Sequence, residues 1–234
     1  MVDHVKTASW LASALLSIGV GILTSVTIVY AYDNLLANRN EQERTERERH
    51  AISAIGPTIR QHYRVLLDCY RSSYNFAAVP SFRDVNEFLG PQYQPVFSHL
   101  DIYSSSPSNS VGSIPYYQYI ESSFTSLNQA IHSMLTVSGR DIGQEVLLAA
   151  NRVRSSEFMV ITQSLTALCT TSIPGFGRVP SQLITEMKEP INAYCAALAK
   201  FISALEKSHP QGLREYSQTD WHNEIIAPGH ARRV

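Results

Sequence analysis

Residues 8 to 31 read ASWLASALLSIGVGILTSVTIVYA, and no charged side chain interrupts them. At about 1.5 Å rise per residue, a helix from Trp10 to Tyr30 is about 30 Å long, the hydrocarbon thickness of a bilayer. Trp10 and Tyr30, with Tyr32 just beyond, stand where aromatic rings settle at the membrane interface. The stretch therefore predicts a transmembrane helix over residues 8–32, preceded by a short N-terminal tail, 1–7, with the rest of the chain held at a membrane surface. A cleaved secretory signal is the competing reading, since Val29-Tyr30-Ala31 offers small residues for a peptidase. Length argues against it: the apolar core of a signal peptide is about 7 to 15 residues, which this run exceeds, and Lys6 alone supplies a basic flank.

Orientation follows from the basic flanks, because Lys and Arg resist translocation while Asp and Glu count for little. Lys6 and the terminal amine lie before the span; Arg39, Arg44, Arg47 and Arg49 lie after it. This places the C-terminal domain in the cytoplasm, the alternative being a periplasmic or extracellular domain. Four glutamates, at positions 41, 43, 46 and 48, interleave with those arginines and soften the bias.

Within the span, Ser9, Ser13, Ser17, Gly21 and Ser25 recur every four residues. Such a row lets a second helix approach closely, so Ser13, Ser17, Gly21 and Ser25 are the candidate helix–helix interface in the membrane. The partners this implies are the lipid bilayer and either another membrane protein or a second copy of the chain. A net charge of −1 and a pI near 6.7 lack the basic footprint of a nucleic-acid binder, and no nucleic-acid partner is expected.

Residues 33–50 are polar and charged, with almost no apolar side chain after Ala37. Glu43 precedes Arg47 by four and Glu41 precedes Arg44 by three, spacings that support a solvated helix. A charged helical stalk is predicted there. Beyond it, Ile52, Ile55, Ile59, Tyr63, Leu66 and Tyr70 recur every three or four positions, one buried helical stripe. Gly56-Pro57 falls inside it, as a kink or a fresh helix start. Ser81 with Asp84 forms a capping-box pattern ahead of Val85, Phe88, Leu89, Val96, Phe97 and Leu100. Ser104 to Ser113 is a loop by composition.

Tyr117, Ile120, Phe124, Leu127, Ile131 and Met134 form the most regular stripe of the chain, ended by Gly139. Asp141, with Gln144 three residues on, is the expected cap of a fourth helix that carries Ile142, Val146, Ala150, Val153, Ile161, Leu165 and Leu168 to the turn at 174–177. Ser181 caps a fifth, with Ile184, Met187, Ile191, Tyr194, Leu198, Phe201 and Leu205. Strand alternation is nowhere sustained. The fold class expected is all-α: a single N-terminal transmembrane helix followed by an antiparallel bundle of four to five helices over 51–208. Residues 209–234 are a polar tail in which Trp221, Ile225 and Ile226 can pack back onto the bundle or into a partner's groove.

Catalytic and metal-binding signatures are missing from the sequence. Cys69, Cys169 and Cys195 are an odd number with no CxxC pair, and fit buried thiols better than a disulfide framework. No Asn-x-Ser/Thr acceptor occurs. Glu206 and His209 have the spacing of a di-metal ligand pair, but at a helix end beside Pro210 and without a second pair. His62 and Cys69 share a helix face, and a zinc site would need further ligands; a core cysteine beside an interfacial histidine is the expectation. No cofactor, metal or catalytic residue is predicted, and no enzyme. The function expected is a non-enzymatic, single-pass membrane-anchored interaction or assembly protein, an accessory subunit of a membrane complex. The alternatives are a ligand sensor that signals through the stalk and, third, an anchored enzyme of unknown type.

Overall fold

The computed structural model describes residues 2–73, 88–90, 99–106, 114–171 and 187–208, the side chains of 2–9, 11, 12 and 14 excepted. Helix α1 runs from Val2 to Ser73. Two compact units divide the chain, Met1–Glu46 and Arg47–Val234, and α1 contributes to both.

In the first unit, every described side chain of α1 is exposed. Three of its hydroxyls bond the helix itself: Thr24 Oγ1 donates to the Val20 carbonyl (2.8 Å), Ser25 Oγ to that of Gly21 (2.9 Å) and Thr27 Oγ1 to that of Leu23 (2.8 Å). Further along, Arg39 pairs with Glu43 (3.1 Å) and Arg44 with Glu41 (3.5 Å). On an exposed helix each such pair contributes a few tenths of a kcal/mol.

The second unit is a helical bundle. Its first helix is the remainder of α1, and the predicted stripe holds: Ile52, Ile55, Ile59, Tyr63, Leu66 and Tyr70 are all buried. Pro57 does not start a new helix. α1 passes through it without interruption, because the apolar residues on either side lie on one face and both halves are held by the same core.

Helix α2, Tyr116–Ser138, follows an isolated bridge between Ser105 and Pro115, in which Ser106 N–H donates to the Ile114 carbonyl and Tyr116 N–H to that of Ser104. Ile120, Phe124, Leu127, Ile131 and Met134 are buried as predicted, but the stripe opens on Tyr116, with Tyr117 only half-buried. The turn at Gly139 follows, also as predicted.

The expected fourth helix is three: α3, Gln144–Arg154, α4, Glu157–Thr162, and α5, Leu165–Thr170. Side chains compete for the backbone at both breaks. Ser156 Oγ donates to the Val153 carbonyl (2.8 Å) and accepts from Met159 N–H (3.4 Å), starting α4 afresh. At the second break, Gln163 donates to the Met159 carbonyl (3.1 Å) and accepts from Asn128 of α2 (3.2 Å). Asn128 in turn accepts from Arg154 Nε (3.0 Å), and the Glu121 carboxylate accepts the Thr166 N–H at the start of α5. Polar groups of α2 thus hold both ends of the interruption.

Asp141 is not the cap of α3. The helix begins after Gly143, whose N–H donates to Glu48 Oε1 of α1 (3.0 Å), while Asp141 pairs with Arg47 (3.6 Å). The last helix, α6, is Lys188–Ser208; it buries Ile191, Tyr194, Leu198, Phe201 and Leu205 as predicted, together with Cys195 and Ile202. α3 packs against α6, and α2 against α3, α4 and α5. The proposed caps at Ser81 and Ser181, Val85, Val96, Phe97 and Ile184, the turn at 174–177 and the tail with Trp221, Ile225 and Ile226 lie outside the described residues.

Glu48 also accepts from Ser208 Oγ (2.8 Å), so one carboxylate joins the start of α3 to the end of α6. The last turn of the charged segment is therefore part of the bundle. A fragment beginning at Glu43 should fold and unfold cooperatively, whereas one beginning at Ala51 should be about 1–2 kcal/mol less stable, the worth of a lost charged cap. Equal denaturant midpoints for the two would show that Glu48 contributes nothing.

Candidate functional site

His62 lies on the stripe of α1, three residues after Ile59 and four before Leu66. It is 1% exposed, buried among rings and not interfacial as its polarity suggested. Nδ1 is 2.8 Å from Ser123 Oγ of α2, and Nε2 is 2.6 Å from the Tyr194 hydroxyl of α6. In a neutral imidazole one nitrogen donates and the other accepts, so two hydroxyls satisfy the ring completely. The Phe124 ring stands edge-on to His62 at 4.6 Å, and Phe124 also meets Tyr194 (5.0 Å) and Phe158 (5.5 Å). Burial lowers the His62 pKa to about 3, against an opposing hydrogen bond from Ser123. The group is therefore neutral throughout the physiological range.

A Ser–His contact of 2.8 Å has the geometry of a nucleophile and its base. Its surroundings do not. Ser123 sits in the middle of α2, where backbone N–H groups are consumed by the helix and none converges on an oxyanion. The adjoining cavity, which Gln61, Tyr119 and Ser126 also line, has about 80 Å³, far below the size of sites that enclose a small organic ligand. The arrangement ties α1, α2 and α6 together.

Metal chemistry finds no better footing. Among the described residues no three His, Cys, Asp or Glu side chains are gathered closely enough to hold an ion. Both ring nitrogens of His62 face hydroxyls. All three cysteines are free and buried; burial raises the Cys69 thiol and pushes that of Cys195 up to about 12, which suppresses the thiolate a metal or an electrophile would need. Of the Glu206–His209 pair, His209 is outside the described residues. Its neighbours serve structure, Lys207 bonding Glu145 (2.8 Å) and Ser208 bonding Glu48.

Asp68 forms a second polar cluster. Its carboxylate accepts from the Tyr119 hydroxyl (3.0 Å), and Arg71 lies 3.8 Å away. Burial raises its pKa against the pull of Tyr119, Arg71 and Arg64.

A second concavity of the bundle is a groove of about 590 Å³ between α1 and α2, lined by Ala51, Ala54 and Ala130 and, at its polar lip, by Arg47, His50 and Asp141. Small side chains on facing helices create it. No family model, curated protein or solved structure matches this chain.

Among the described residues, one helix is long and apolar enough to cross a membrane. In its most apolar 18-residue window the mean hydropathy is 1.8, and no residue of that window is buried. Leu16, Leu23 and Tyr30 are about 70% exposed. Ser13, Ser17, Gly21 and Ser25 lie on the same exposed helix, and a Cβ placed on Gly21 meets no atom within 4 Å. The sequence revealed this row but missed the His62–Ser123–Tyr194 link. The position of His62 on an otherwise apolar stripe was the available signal.

Proposed function

We propose that this chain is a non-enzymatic, single-pass membrane protein whose bundle serves interaction or assembly, as an accessory subunit of a larger membrane complex. The observation that carries the reading is the wholly unburied apolar window of α1. At about 25 cal/mol per Å², leaving a dozen large apolar side chains in water would cost many kcal/mol, and bilayer hydrocarbon relieves that cost. The internal hydrogen bonds of Thr24, Ser25 and Thr27 suit the same solvent, where an unsatisfied hydroxyl is expensive. The His62 imidazole and the Ser123 and Tyr194 hydroxyls are consumed in holding three helices together, which supports a role other than catalysis.

The bundle faces the cytoplasm in this reading. The stalk arginines pair with acids in the folded protein, but topology is set during insertion by the basic residues themselves. A reporter fused after Val234 should be active only in its cytoplasmic form. Within the membrane, Ser13, Ser17, Gly21 and Ser25 form the face on which another span packs, whether of a partner or of a second copy. Gly21→Leu should weaken that association by about tenfold, about 1.4 kcal/mol. Nothing in the isolated helix opposes the larger side chain, so insertion should be untouched. Leu15→Ala, off the row, should be neutral. Unchanged crosslinking of the Gly21→Leu protein in mild detergent would reduce the row to ordinary membrane composition. A monomer with no co-purifying partner at native expression would count against the assembly role itself.

A further inference from the structure

We infer that the groove between α1 and α2 is the docking site of the chain's own C-terminal segment, residues 220–226. The groove's volume of about 590 Å³ is within the range that encloses a drug-sized body, and so several large side chains together. Its floor is apolar and its wall includes Val137, which is 80% exposed. The tail begins beside it. Ser208, the last residue of α6, bonds Glu48 at 2.8 Å, and Glu48 adjoins Arg47 and His50 of the lip along α1.

Trp221, Ile225 and Ile226 are the main concentration of apolar side chains in residues 209–234. The lip already pairs Arg47 with Asp141, so the apolar side chains, not charge, are what the groove would hold. The spacer from 209 to 219 is polar, with Pro210 and Gly212. Eleven residues separate Ser208 from Asp220, enough chain to reach a neighbouring groove and to give an effective concentration of about millimolar. A second copy or a free partner must compete with that concentration.

The chain has two tryptophans, Trp10 and Trp221, so Trp10→Phe leaves Trp221 as a direct reporter. In full-length protein held in phosphatidylcholine nanodiscs, its emission should be blue-shifted from that of a solvated indole and weakly quenched by acrylamide. Val137→Glu, which alters only an exposed wall, and Ile225→Asp, which alters only the tail, should each shift emission to the red and raise quenching several-fold, with circular dichroism unchanged. Ala54→Phe, which fills the floor, should do the same. A solvent-like Trp221 in the parent overturns the proposal. So does a shielded Trp221 indifferent to Val137→Glu and Ala54→Phe, since the indole is then in lipid or elsewhere. A Val137→Cys, Ile225→Cys pair that joins differently tagged copies, and not one copy to itself, also overturns it.

Discussion

Lowering the pH from about 6.5 toward 3 should strip up to about 5 kcal/mol from the stability of the bundle through His62 alone. The imidazole titrates near 6.5 in an unfolded chain and at about 3 in the folded one, because burial disfavours the cation. Between those values the unfolded state binds the proton and the folded state does not. Stability is therefore complete above 6.5, falls by about 1.4 kcal/mol per pH unit through the window, and levels off below 3. A domain of ordinary stability, about 5–15 kcal/mol, would lose much of its margin. Asp68 works the other way: its carboxyl is held above the usual range, so the folded state takes its proton first and gains stability as that group protonates. The check is denaturant unfolding of the parent and of His62→Gln at pH 7, 5 and 4. The variant should be less stable at pH 7, since Ser123 and Tyr194 lose their imidazole partner, but it should decline less steeply. Parallel decline of the two proteins would assign the acid sensitivity to other groups.

Phe124→Ala should cost about 3–5 kcal/mol, more than any other single truncation in α2. Leu127 stands at the centre of the most regular stripe, and periodicity alone would rank it first. Phe124 is equally buried but touches three other rings, those of His62, Tyr194 and Phe158, from three different helical segments. Edge-on and tilted aromatic pairs contribute beyond their buried area, by about 0.5–1.5 kcal/mol each. The cavity left behind would adjoin His62 and admit water to it, raising its folded-state pKa. Phe124→Ala should therefore also flatten the acid dependence, and its effect should not add to that of His62→Gln. A loss smaller than that of Leu127→Ala, with the acid slope intact, would refute the central role of this ring.

The interruptions of the fourth predicted helix show how far periodicity reaches. From Ile142 to Leu168 the apolar residues keep helical spacing, yet the chain breaks twice. Ser156 is a visible breaker, because serine caps compete with helix interiors. The second break was not legible, since it depends on Asn128 and Glu121 reaching across from α2. Asp141 fails as a cap for the same reason: Glu48, almost a hundred residues earlier, takes the N–H of Gly143.

The sequence by itself determined what depends on solvent and spacing along one chain. The uncharged run from Ala8 to Ala31 specifies an apolar helix of membrane length, and the stripes of α1, α2 and α6 specify which residues are buried, because burial of a helix face needs only a period of three or four. The tertiary structure decided what depends on partners distant in the chain. It converted His62 from a polar residue on an apolar stripe into the link among three helices, drew the last turn of the charged segment into the bundle through Glu48, and opened the α1–α2 groove where alanines face one another. Hydrogen bonds and ring contacts of this kind join positions more than sixty residues apart, and their geometry exists only once the helices have packed.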